Sequence, residues 1–395
     1  MTRQKRILVA SSLTAGGEAL TPIVKRIKKT AMTRAYVLAH KAGFKSFDAG
    51  GIRFSNQADN LHLEKISPKI CRKIIMSRNP TSILTGTQVQ EKEDEQTLEQ
   101  MLWQAAKERG VKSIAVLDTW ENYIERFSDL KPLADGNRLT IKKGTELRYL
   151  PDTIAVMDEF AKKEMMKLGF PEGILAVTGS PYFEHVLSEA EKLTPETRRQ
   201  FLERPVFSEF EDSGKTIVFM SDSIESFYPD IGFTEKSILH SFLKVTDEVA
   251  KDTGMKINVL VRPHPFRNEN AREAYECETG HIKKVFHNPI TARGKDPANE
   301  YSMEELLYSA DLIVGTFNNP LITAKLMGRP VINYQLNMNR KYHFQDYLSK
   351  QDLTTKVTRE QKLDEAIIGL LNGDIIQKTL EAAKGATDRI IGLLE

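Results

Sequence analysis

Short apolar runs that alternate with helical periods along the whole chain constrain its fold most strongly. In the first half, strands are predicted at 6–10, 35–39, 82–84, 113–117, 153–157 and 174–177, and helices at 18–29, 66–77, 95–109 and up to 168. In the second half, strands are predicted at 216–220, 256–261, 283–286, 312–314 and 331–333. Strands separated by helices pair in parallel, with the helices as crossover connections. The pattern therefore predicts the α/β class.

The length of the chain predicts two domains. A chain of 395 residues exceeds what one hydrophobic core ordinarily holds. The charged segment 188–214, with Pro195 and Pro205, is predicted to be the linker. Residues 1–187 then form the first domain and residues 215–373 the second, while the periodic segment 374–395 is predicted to be a helix that packs back on the first domain.

Composition is typical of a soluble globular enzyme, with 40% apolar and 28% charged residues. No run approaches the ~20 consecutive apolar residues that span a bilayer, and the first residues lack a signal-peptide pattern. Cys71 and Cys277 lie far apart and form no disulfide framework. We therefore expect a cytoplasmic protein.

The basic charge is concentrated near the amino terminus. Residues 1–80 hold 16 Lys or Arg and 4 Asp or Glu, whereas the rest of the chain holds 40 and 50. Such a surface favours anionic partners. Segment 66–79 places isoleucines on one helical face and Lys69, Arg72 and Lys73 outside it. This helix either contacts anionic lipid at the inner face of the membrane or packs in the core with a solvated basic face. No recognition motif for nucleic acid occurs.

Polar groups follow two predicted neighbouring strands, in VLVRPHPFRN and DLIVGTFNNP. They are Arg262, His264, Arg267, Thr316, Asn318 and Asn319. In an open α/β sheet, ligands bind at the carboxyl ends of the strands. Guanidinium, imidazole, hydroxyl and amide groups beside a helix amino terminus suit a phosphate. His264 could instead fix its turn, and Thr316, Asn318 and Asn319 could be ordinary caps. We expect a phosphorylated or nucleotide-linked substrate.

Four motifs in order resemble the GT-B superfamily. Gly16 and Gly17 before Glu18 occupy the place of its Gly-rich first loop, where glycine lets the backbone approach a ligand. Gly179 and Ser180 lie in a TGSP turn similar to the TGNP-type turn of UDP-N-acetylglucosamine 2-epimerases. The RPHP sequence resembles the HP motif of Kdo transferases and CDP-glycerol glycerophosphotransferases, and SMEELLYSADLIVGT through LMGRP resembles the common donor segment. The resemblance implies two facing Rossmann-like domains with an interdomain cleft.

The chain also departs from these families. The 2-epimerases carry an arginine soon after the first strand and a His-Arg-rich loop after the first strand of the second domain, where this chain has SSLTAGGE and MSDSIES. Related glycosyltransferases carry a ribose-binding carboxylate in the donor helix, where this chain has NNPLITA. UDP-, CMP- and CDP-linked donors therefore all stay open.

The resemblance implies transfer of a sugar from a nucleotide donor, which requires a carboxylate base opposite groups that stabilise the departing phosphate. Glu18, in a Gly-Glu pair like that of Kdo transferases, and Asp118, at a strand end on the cleft side, are the candidate bases. Each could instead satisfy the amino terminus of a helix. Trp120 either belongs to the core or lines an acceptor pocket together with Tyr123.

The main expectation is a glycosyltransferase that moves a sugar from a nucleotide-sugar donor to an anionic or lipid-linked acceptor, in surface polysaccharide or glycolipid synthesis. The alternative is a nucleotide-sugar 2-epimerase or hydrolase, and the third interpretation is a non-catalytic module that binds sugar nucleotides. No Asp-x-Asp pair occurs, so a mechanism without metal or other cofactor is expected, in which protein cations replace the charge of a metal.

Overall fold

The computed structural model describes residues 4–394 except 31, 55–58, 94, 133–138, 228–229, 265–268, 288–299, 317, 340–345 and 383. The chain forms two compact units. Unit 1 comprises Met1–His185 and Ala382–Glu395, and unit 2 comprises Val186–Glu381. Each unit has its own parallel sheet and its own buried apolar core.

Unit 1 alternates strands with helices. Its strands are β1 Lys5–Ser11, β2 Thr33–His40, β3 Asn60–Leu63, β4 Ser82–Thr85, β5 Lys112–Val116, β6 Leu130–Pro132, β7 Leu139–Ile141, β8 Thr153–Val156 and β9 Leu175–Val177. Its helices are α1 Thr14–Lys28, α2 Ala42–Ala49, α3 Pro68–Arg78, α4 Leu98–Glu108, α5 Glu159–Lys167 and α6 Pro181–Ala190, which crosses into unit 2, with short 3-10 turns at Glu125–Phe127 and Glu172–Ile174.

Unit 2 repeats this alternation. Its strands are β10 Lys215–Met220, β11 Ile257–Arg262, β12 Ile282–Phe286, β13 Leu312–Gly315, β14 Val331–Tyr334 and β15 Thr355–Val357. Its helices are α7 Pro195–Leu202, α8 Ile224–Phe227, α9 Glu235–Thr253, α10 Glu269–Tyr275, α11 Met303–Ser309, α12 Asn319–Leu326, α13 Asp346–Lys350 and α14 Leu363–Asn372, with 3-10 turns at Pro205–Phe207 and Glu360–Lys362. The chain then returns to unit 1 with α15 Ala386–Leu393.

Both sheets reverse their strand order at one point. In the described residues, the order is β3-β2-β1-β4-β5-β8-β9 in unit 1 and β12-β11-β10-β13-β14-β15 in unit 2, and all of these neighbours pair in parallel. The reversal lies between β1 and β4 in unit 1 and between β10 and β13 in unit 2. Ligands of open α/β sheets bind at the carboxyl edge of this switch point. The predicted α/β class with Rossmann-like halves is confirmed.

The two ends of unit 2 differ in detail from the predicted segments. The segment 188–214, predicted as a linker, contains α7 and a 3-10 turn, and Arg198 of α7 forms a bidentate ion pair with Asp311 at 3.1 and 2.8 Å. The last helix begins at Ala386, whereas the periodicity predicted a helix from residue 374. Its Ile390 is fully buried in the core of unit 1, so packing selects the part of the segment that becomes helical.

Helix α3 packs its apolar face against the rest of unit 1. Cys71, Ile74 and Ile75 are buried, while Lys69, Arg72 and Lys73 are exposed, and Arg72 pairs with Glu108 of α4. The buried apolar face supports the core-packed interpretation of this segment. The basic face is exposed, and its contact with anionic lipid stays a prediction. Among the described residues, no helix is long and apolar enough to cross a membrane.

Gly43 allows the start of α2 to lie against the end of β1. A Cβ atom at this position would lie 2.2 Å from the backbone oxygen of Ser11, which cannot move without distorting the strand. We expect Gly43→Ala to lower the free energy of unfolding by about 1–3 kcal/mol. Gly173→Ala is the control, because its added methyl group would meet nothing within 4 Å. Urea denaturation would measure both variants, and equal stabilities would contradict this packing.

Candidate functional site

A buried carboxylate joins the two strands at the switch point of unit 2. Asp222 follows β10, and it accepts hydrogen bonds from the Thr316 hydroxyl and, at 3.2 Å, from the Asn318 side-chain amide, both of which follow β13. The same amide donates to the backbone oxygen of Met220 at 3.1 Å. Asp222 and Thr316 are buried. This network fixes the loop that leads into α12.

The amino terminus of α12 offers an anion fewer N–H groups than most helices, since Pro320 has none and that of Leu321 donates to the Asn318 oxygen at 3.0 Å, which leaves the N–H of Asn319 in this turn. Asn318 precedes the helix, but its side chain does not cap it, because the amide points to β10 and Asp222 instead. Its Oδ1 atom is buried without a hydrogen-bond partner among the described residues. The first backbone N–H groups of a helix carry partial positive charge and favour an anionic ligand.

Arg262 brings a buried positive charge to the same sheet edge. It ends β11, next to β10, with 8% of its surface exposed. Its Nε atom has no hydrogen-bond partner in the described part of the chain. Burial lowers the pKa of Arg262, since the charged form loses its hydration. A buried cation costs free energy unless an anion pairs with it, so this position suits a negatively charged ligand.

Aromatic and cationic groups surround this arginine. The Tyr301 hydroxyl lies 3.0 Å from Nδ1 of His287, and burial raises the Tyr301 pKa while nearby Arg262 and Arg204 oppose that shift. The Arg204 guanidinium lies 5.8 Å from the Tyr301 ring centroid and donates to Glu305 at 2.8 Å. Its Nη1 atom is buried without a described partner. Two guanidinium groups, each with a donor that lacks a partner among the described residues, therefore interact with one tyrosine.

The structure brings together part of the predicted phosphate site. Thr316 and Asn318 both donate hydrogen bonds to Asp222. Arg262 ends a strand at the same edge of the sheet. His264 follows Arg262 and is half-buried, and Asn319 is the exposed first residue of α12. Arg267 lies outside the described residues. These roles stay predictions, since no ligand tests them.

Asp222 was missed by sequence reasoning. The signal that could have found it is the run Ser221-Asp222-Ser223, which directly follows the strand at the switch point. Small polar residues at that position are what a ligand-binding loop requires. Asp222 escaped notice because its partners Thr316 and Asn318 are more than ninety residues away in sequence.

The glycine pair predicted as a ligand-binding loop lies inside α1. A Cβ atom on Gly16 would lie 2.6 Å from the Ser11 hydroxyl, and one on Gly17 would lie 2.7 Å from Cβ of Ser46. These two positions therefore require glycine because other parts of the protein, Ser11 and Ser46, pack closely against them. Glu18, the first candidate base, is exposed in the second turn of this helix.

The second candidate base belongs to a buried ion pair. Asp118 follows β5 and accepts from Nη1 of Arg126 at 2.9 Å, and the two side chains are 4% and 6% exposed. Arg126 also donates to the backbone oxygen of Thr87 at 3.0 Å. The pair ties the loop after β5 to the loop after β4. The sequence analysis did not identify Arg126, although it lies only eight residues after Asp118.

Trp120 is buried, as its core interpretation predicted, and Tyr123 is buried as well. The indole Nε1 of Trp120 donates to Asp158 at 2.9 Å, and its ring stacks on Phe183 with centroids 5.4 Å apart. Tyr123 is 7% exposed, and burial raises the pKa of its hydroxyl. Stacking of a sugar on either ring would require movement of its present neighbours.

The TGSP turn connects β9 to α6. Gly179 has a φ of 80°, a left-handed conformation that glycine adopts without strain. The Ser180 hydroxyl accepts from the backbone N–H of Phe183 at 3.4 Å, and Arg389 of α15 donates to the Thr178 oxygen at 2.8 Å. The turn therefore anchors the returning helix, and a contact with ligand stays a prediction.

Glu99 fixes the loop after β1, another feature that sequence reasoning missed. It is fully buried in α4 and accepts from the backbone N–H of Ser12 at 2.8 Å and from the Ser12 hydroxyl at 3.2 Å. Burial raises its pKa, and these hydrogen bonds act in the opposite direction.

No group of three or more metal-ligating His, Cys, Asp or Glu side chains occurs within the described residues.

The raised pKa of Glu99 predicts how its removal changes stability with pH. The folded protein holds the proton more tightly, so the stabilisation is complete below the ordinary pKa of 4.5 and is lost as pH rises through the folded value. We therefore expect Glu99→Gln to be more stable than the wild type at pH 8, with a difference that shrinks toward pH 4. Thermal unfolding across this range would measure it.

Glu108→Gln on the same helix is the control, because its effect on stability should change with pH in the opposite direction. Glu108 is exposed and hydrogen-bonded by Arg72, which lowers its pKa, so its contribution is present at neutral pH and is lost as pH falls. This variant should be slightly less stable than the wild type at pH 8. A pH-independent effect of Glu99→Gln would contradict the assignment.

Comparisons with known proteins identify the fold. No protein-family model matches the chain, and no curated protein sequence matches it. The structure is similar to UDP-GlcNAc 2-epimerase from Methanocaldococcus jannaschii, with 14% identity, a TM-score of 0.64 and coverage of 98% of this chain and 99% of that one. The Neisseria meningitidis 2-epimerase bound to UDP-GlcNAc gives 13% identity, a TM-score of 0.64 and the same coverage.

A glycosyltransferase shares this likeness. MurG from Acinetobacter baumannii is 10% identical, with a TM-score of 0.57 and coverage of 99% of both chains. Identities this low establish the fold alone. The predicted GT-B fold is confirmed, with 2-epimerases and a glycosyltransferase as its structural neighbours.

Proposed function

We propose that this protein is an enzyme that acts on a nucleotide-linked sugar and holds its phosphate at the switch point of unit 2. The observation that carries the proposal is Arg262, a buried guanidinium at the carboxyl edge of the sheet whose Nε donor has no partner among the described residues. The uncapped amino terminus of α12, held in place by Asp222, would bind the same anion.

The charge at this site suits cleavage of a bond between sugar and phosphate. As the anomeric C–O bond breaks, negative charge collects on the departing nucleotide, and fixed positive groups stabilise that charge in the transition state. Arg262 and the α12 amino terminus would supply it. This arrangement needs no metal ion, because the protein itself provides the positive charge.

Chemistry of the epimerase or hydrolase type is the first candidate. Its support is the likeness to UDP-GlcNAc 2-epimerases over 98% of the chain. Where those enzymes carry an arginine and a His-Arg-rich loop, this chain has the segments SSLTAGGE and MSDSIES. We therefore propose that nucleotide release without an acceptor, rather than efficient epimerisation, is the reaction to seek first.

Glycosyl transfer is the second candidate, supported by the likeness to MurG. In that reaction Glu18 is the proposed base, because its side chain is exposed, whereas Asp118 is buried with Arg126. The basic excess of residues 1–80 and the exposed cations of α3 support an anionic or lipid-linked acceptor and contact with an anionic membrane. Binding of sugar nucleotides without turnover is the third candidate.

Incubation with UDP-, CMP- and CDP-linked sugars, each with and without an acceptor, separates these candidates. Conversion that does not depend on acceptor supports the epimerase or hydrolase type, and NMR of the product would tell an isomerised nucleotide sugar from free nucleotide and free sugar. Nucleotide release that requires acceptor supports transfer. Binding of the nucleotide sugars without any conversion supports the third candidate, and the absence of both binding and conversion would overturn the proposal.

A further inference from the structure

The loop of residues 221–225, which leads from β10 into α8, is held from two sides. On one side, Asp222 accepts hydrogen bonds from two residues of the loop before α12. On the other side, the carboxylate of Glu235 accepts from the backbone N–H of Glu225 at 3.1 Å. Glu235 was not predicted from the sequence as a site residue.

The carboxylate of Glu235 binds backbone N–H groups of two helices. Glu235 is the first residue of α9, and 4% of its surface is exposed. Besides the N–H of Glu225, the N–H groups of Ile224 and of Glu235 itself favour the charged carboxylate. All three lie in the first turn of α8 or α9, where no carbonyl of the same helix can accept from them. One buried side chain therefore joins the beginnings of two helices.

The strength of this contact depends on the charge of Glu235. Burial raises its pKa, the like charge of Glu225 acts in the same direction, and the backbone hydrogen bonds oppose both. Its Oε2 atom is buried without a partner among the described residues, and its neighbour Lys236 pairs with Glu273 of α10 instead. The charged form accepts hydrogen bonds more strongly than the protonated form. Protonation of Glu235 would therefore loosen its hold on Glu225.

The same loop contacts the strand end that carries Arg262. The backbone N–H of Ser221 donates to the backbone oxygen of Arg262 at 3.0 Å. Ser221, Asp222 and Ser223 are all buried, and closely packed residues transmit a displacement to their neighbours. A shift at the far end of the loop would therefore reach Asp222 and the end of β11.

We propose that Glu235 is a positioning residue of the phosphate site in unit 2: it fixes the far end of the loop 221–225 and so orients Asp222 and the loop before α12. This inference rests on the proposed function, because it names a residue that acts on the same site without contact to the ligand. Its sign is distinctive. Removal of a negative charge near an anion site would by itself strengthen anion binding, whereas loss of a positioning residue weakens it.

Amide hydrogen exchange of the unliganded full chain, followed by mass spectrometry, tests this coupling without any ligand. In Glu235→Gln, the peptides that contain Glu225 and Asn318 should both exchange faster than in the wild type. Ser241→Ala is the destabilising control, because it removes a buried hydrogen bond between α9 and Glu360 at 2.7 Å. An unchanged rate in the Asn318 peptide, or an equal increase in Ser241→Ala, would overturn the proposal.

Affinity for UDP-GlcNAc, measured by calorimetry at pH 8, is the second test. Glu235→Gln should bind it about 3- to 10-fold more weakly, which is the effect of about one neutral hydrogen bond. Glu248→Gln is the control, because Glu248 is exposed on the same helix, and it should bind like the wild type. Equal or tighter binding by Glu235→Gln would reject the positioning role. A wild type that binds no sugar nucleotide would contradict the proposed function instead, and hydrogen exchange would still decide this inference.

The pH dependence of the affinity ratio identifies the carboxylate as the group responsible. As pH falls toward the raised pKa of Glu235, the wild type takes up a proton there and comes to resemble Glu235→Gln, so the ratio of the two affinities should shrink. Protonation of other groups, such as His264, acts in both proteins and cancels in the ratio. A ratio that grows as pH falls from 8 to 5 would contradict the role of the Glu235 charge.

Discussion

Arg262→Ala is expected to weaken UDP binding by about 10- to 150-fold, because a hydrogen bond to a charged group contributes roughly 1.5–3 kcal/mol. Arg262 is buried at the end of β11, and its Nε atom has no described partner in the absence of ligand. The same substitution should leave the unliganded protein equally stable or more stable, since it removes a buried charge that lacks an anion. Calorimetry and thermal unfolding would measure the two effects.

Arg272→Ala provides the matched control for this prediction. Arg272 lies in α10 of the same unit and is exposed, with its guanidinium 5.5 Å from the Phe286 ring centroid. Its removal should leave UDP affinity unchanged. Unchanged affinity in Arg262→Ala, or an equal loss in both variants, would remove Arg262 from the proposed phosphate site.

Asp118→Ala is expected to lower the free energy of unfolding of unit 1 by about 3–5 kcal/mol, because it leaves the Arg126 charge buried without its carboxylate. The two side chains are 4% and 6% exposed, so water cannot replace the lost partner. The remaining contacts of Arg126, to the oxygens of Thr87 and Glu121, are neutral. Denaturant unfolding followed by a probe in unit 1 would measure the change.

Asp388→Ala is the corresponding control, since it removes another Asp–Arg pair from the same unit. Asp388 lies 3.1 Å from Arg26, but both side chains are exposed, at 66% and 59%. An exposed pair contributes at most about 1 kcal/mol. Similar losses in the two variants would show that the Asp118–Arg126 pair contributes no more than a surface ion pair.

The strand pattern and the polar strand ends could be predicted because both are local. Buried parallel strands require short apolar runs, and the residues after them must satisfy backbone groups and reach solvent or ligand. Thr316 and Asn318 were predicted in this way, and the structure places both of them after a strand of the sheet. The glycine pair was predicted in a loop but lies in a helix, because glycine occurs both in loops and where two elements pack closely. Only the neighbours Ser11 and Ser46 show that Gly16 and Gly17 lie in a packed helix.

The features that define the switch points of the two units join residues that are far apart in sequence. Asp222 meets Thr316 and Asn318 through the pairing of β10 with β13. Glu99 meets Ser12 across 87 residues of sequence. No local pattern indicates that a carboxylate will be buried, paired or left without a donor.

The sequence by itself determined the alternation of strands and helices, the predicted division of the chain, and the edge at which polar residues collect, because backbone hydrogen bonding and apolar periodicity act over a few residues. The tertiary structure alone decided which charges are balanced. Both Arg126 and Arg262 are buried, but Asp118 pairs with Arg126, whereas the Nε donor of Arg262 has no partner in the part of the chain that the structure describes. The difference arises from long-range packing, which sets the distance between charges and their access to water, and these two quantities fix electrostatic free energy.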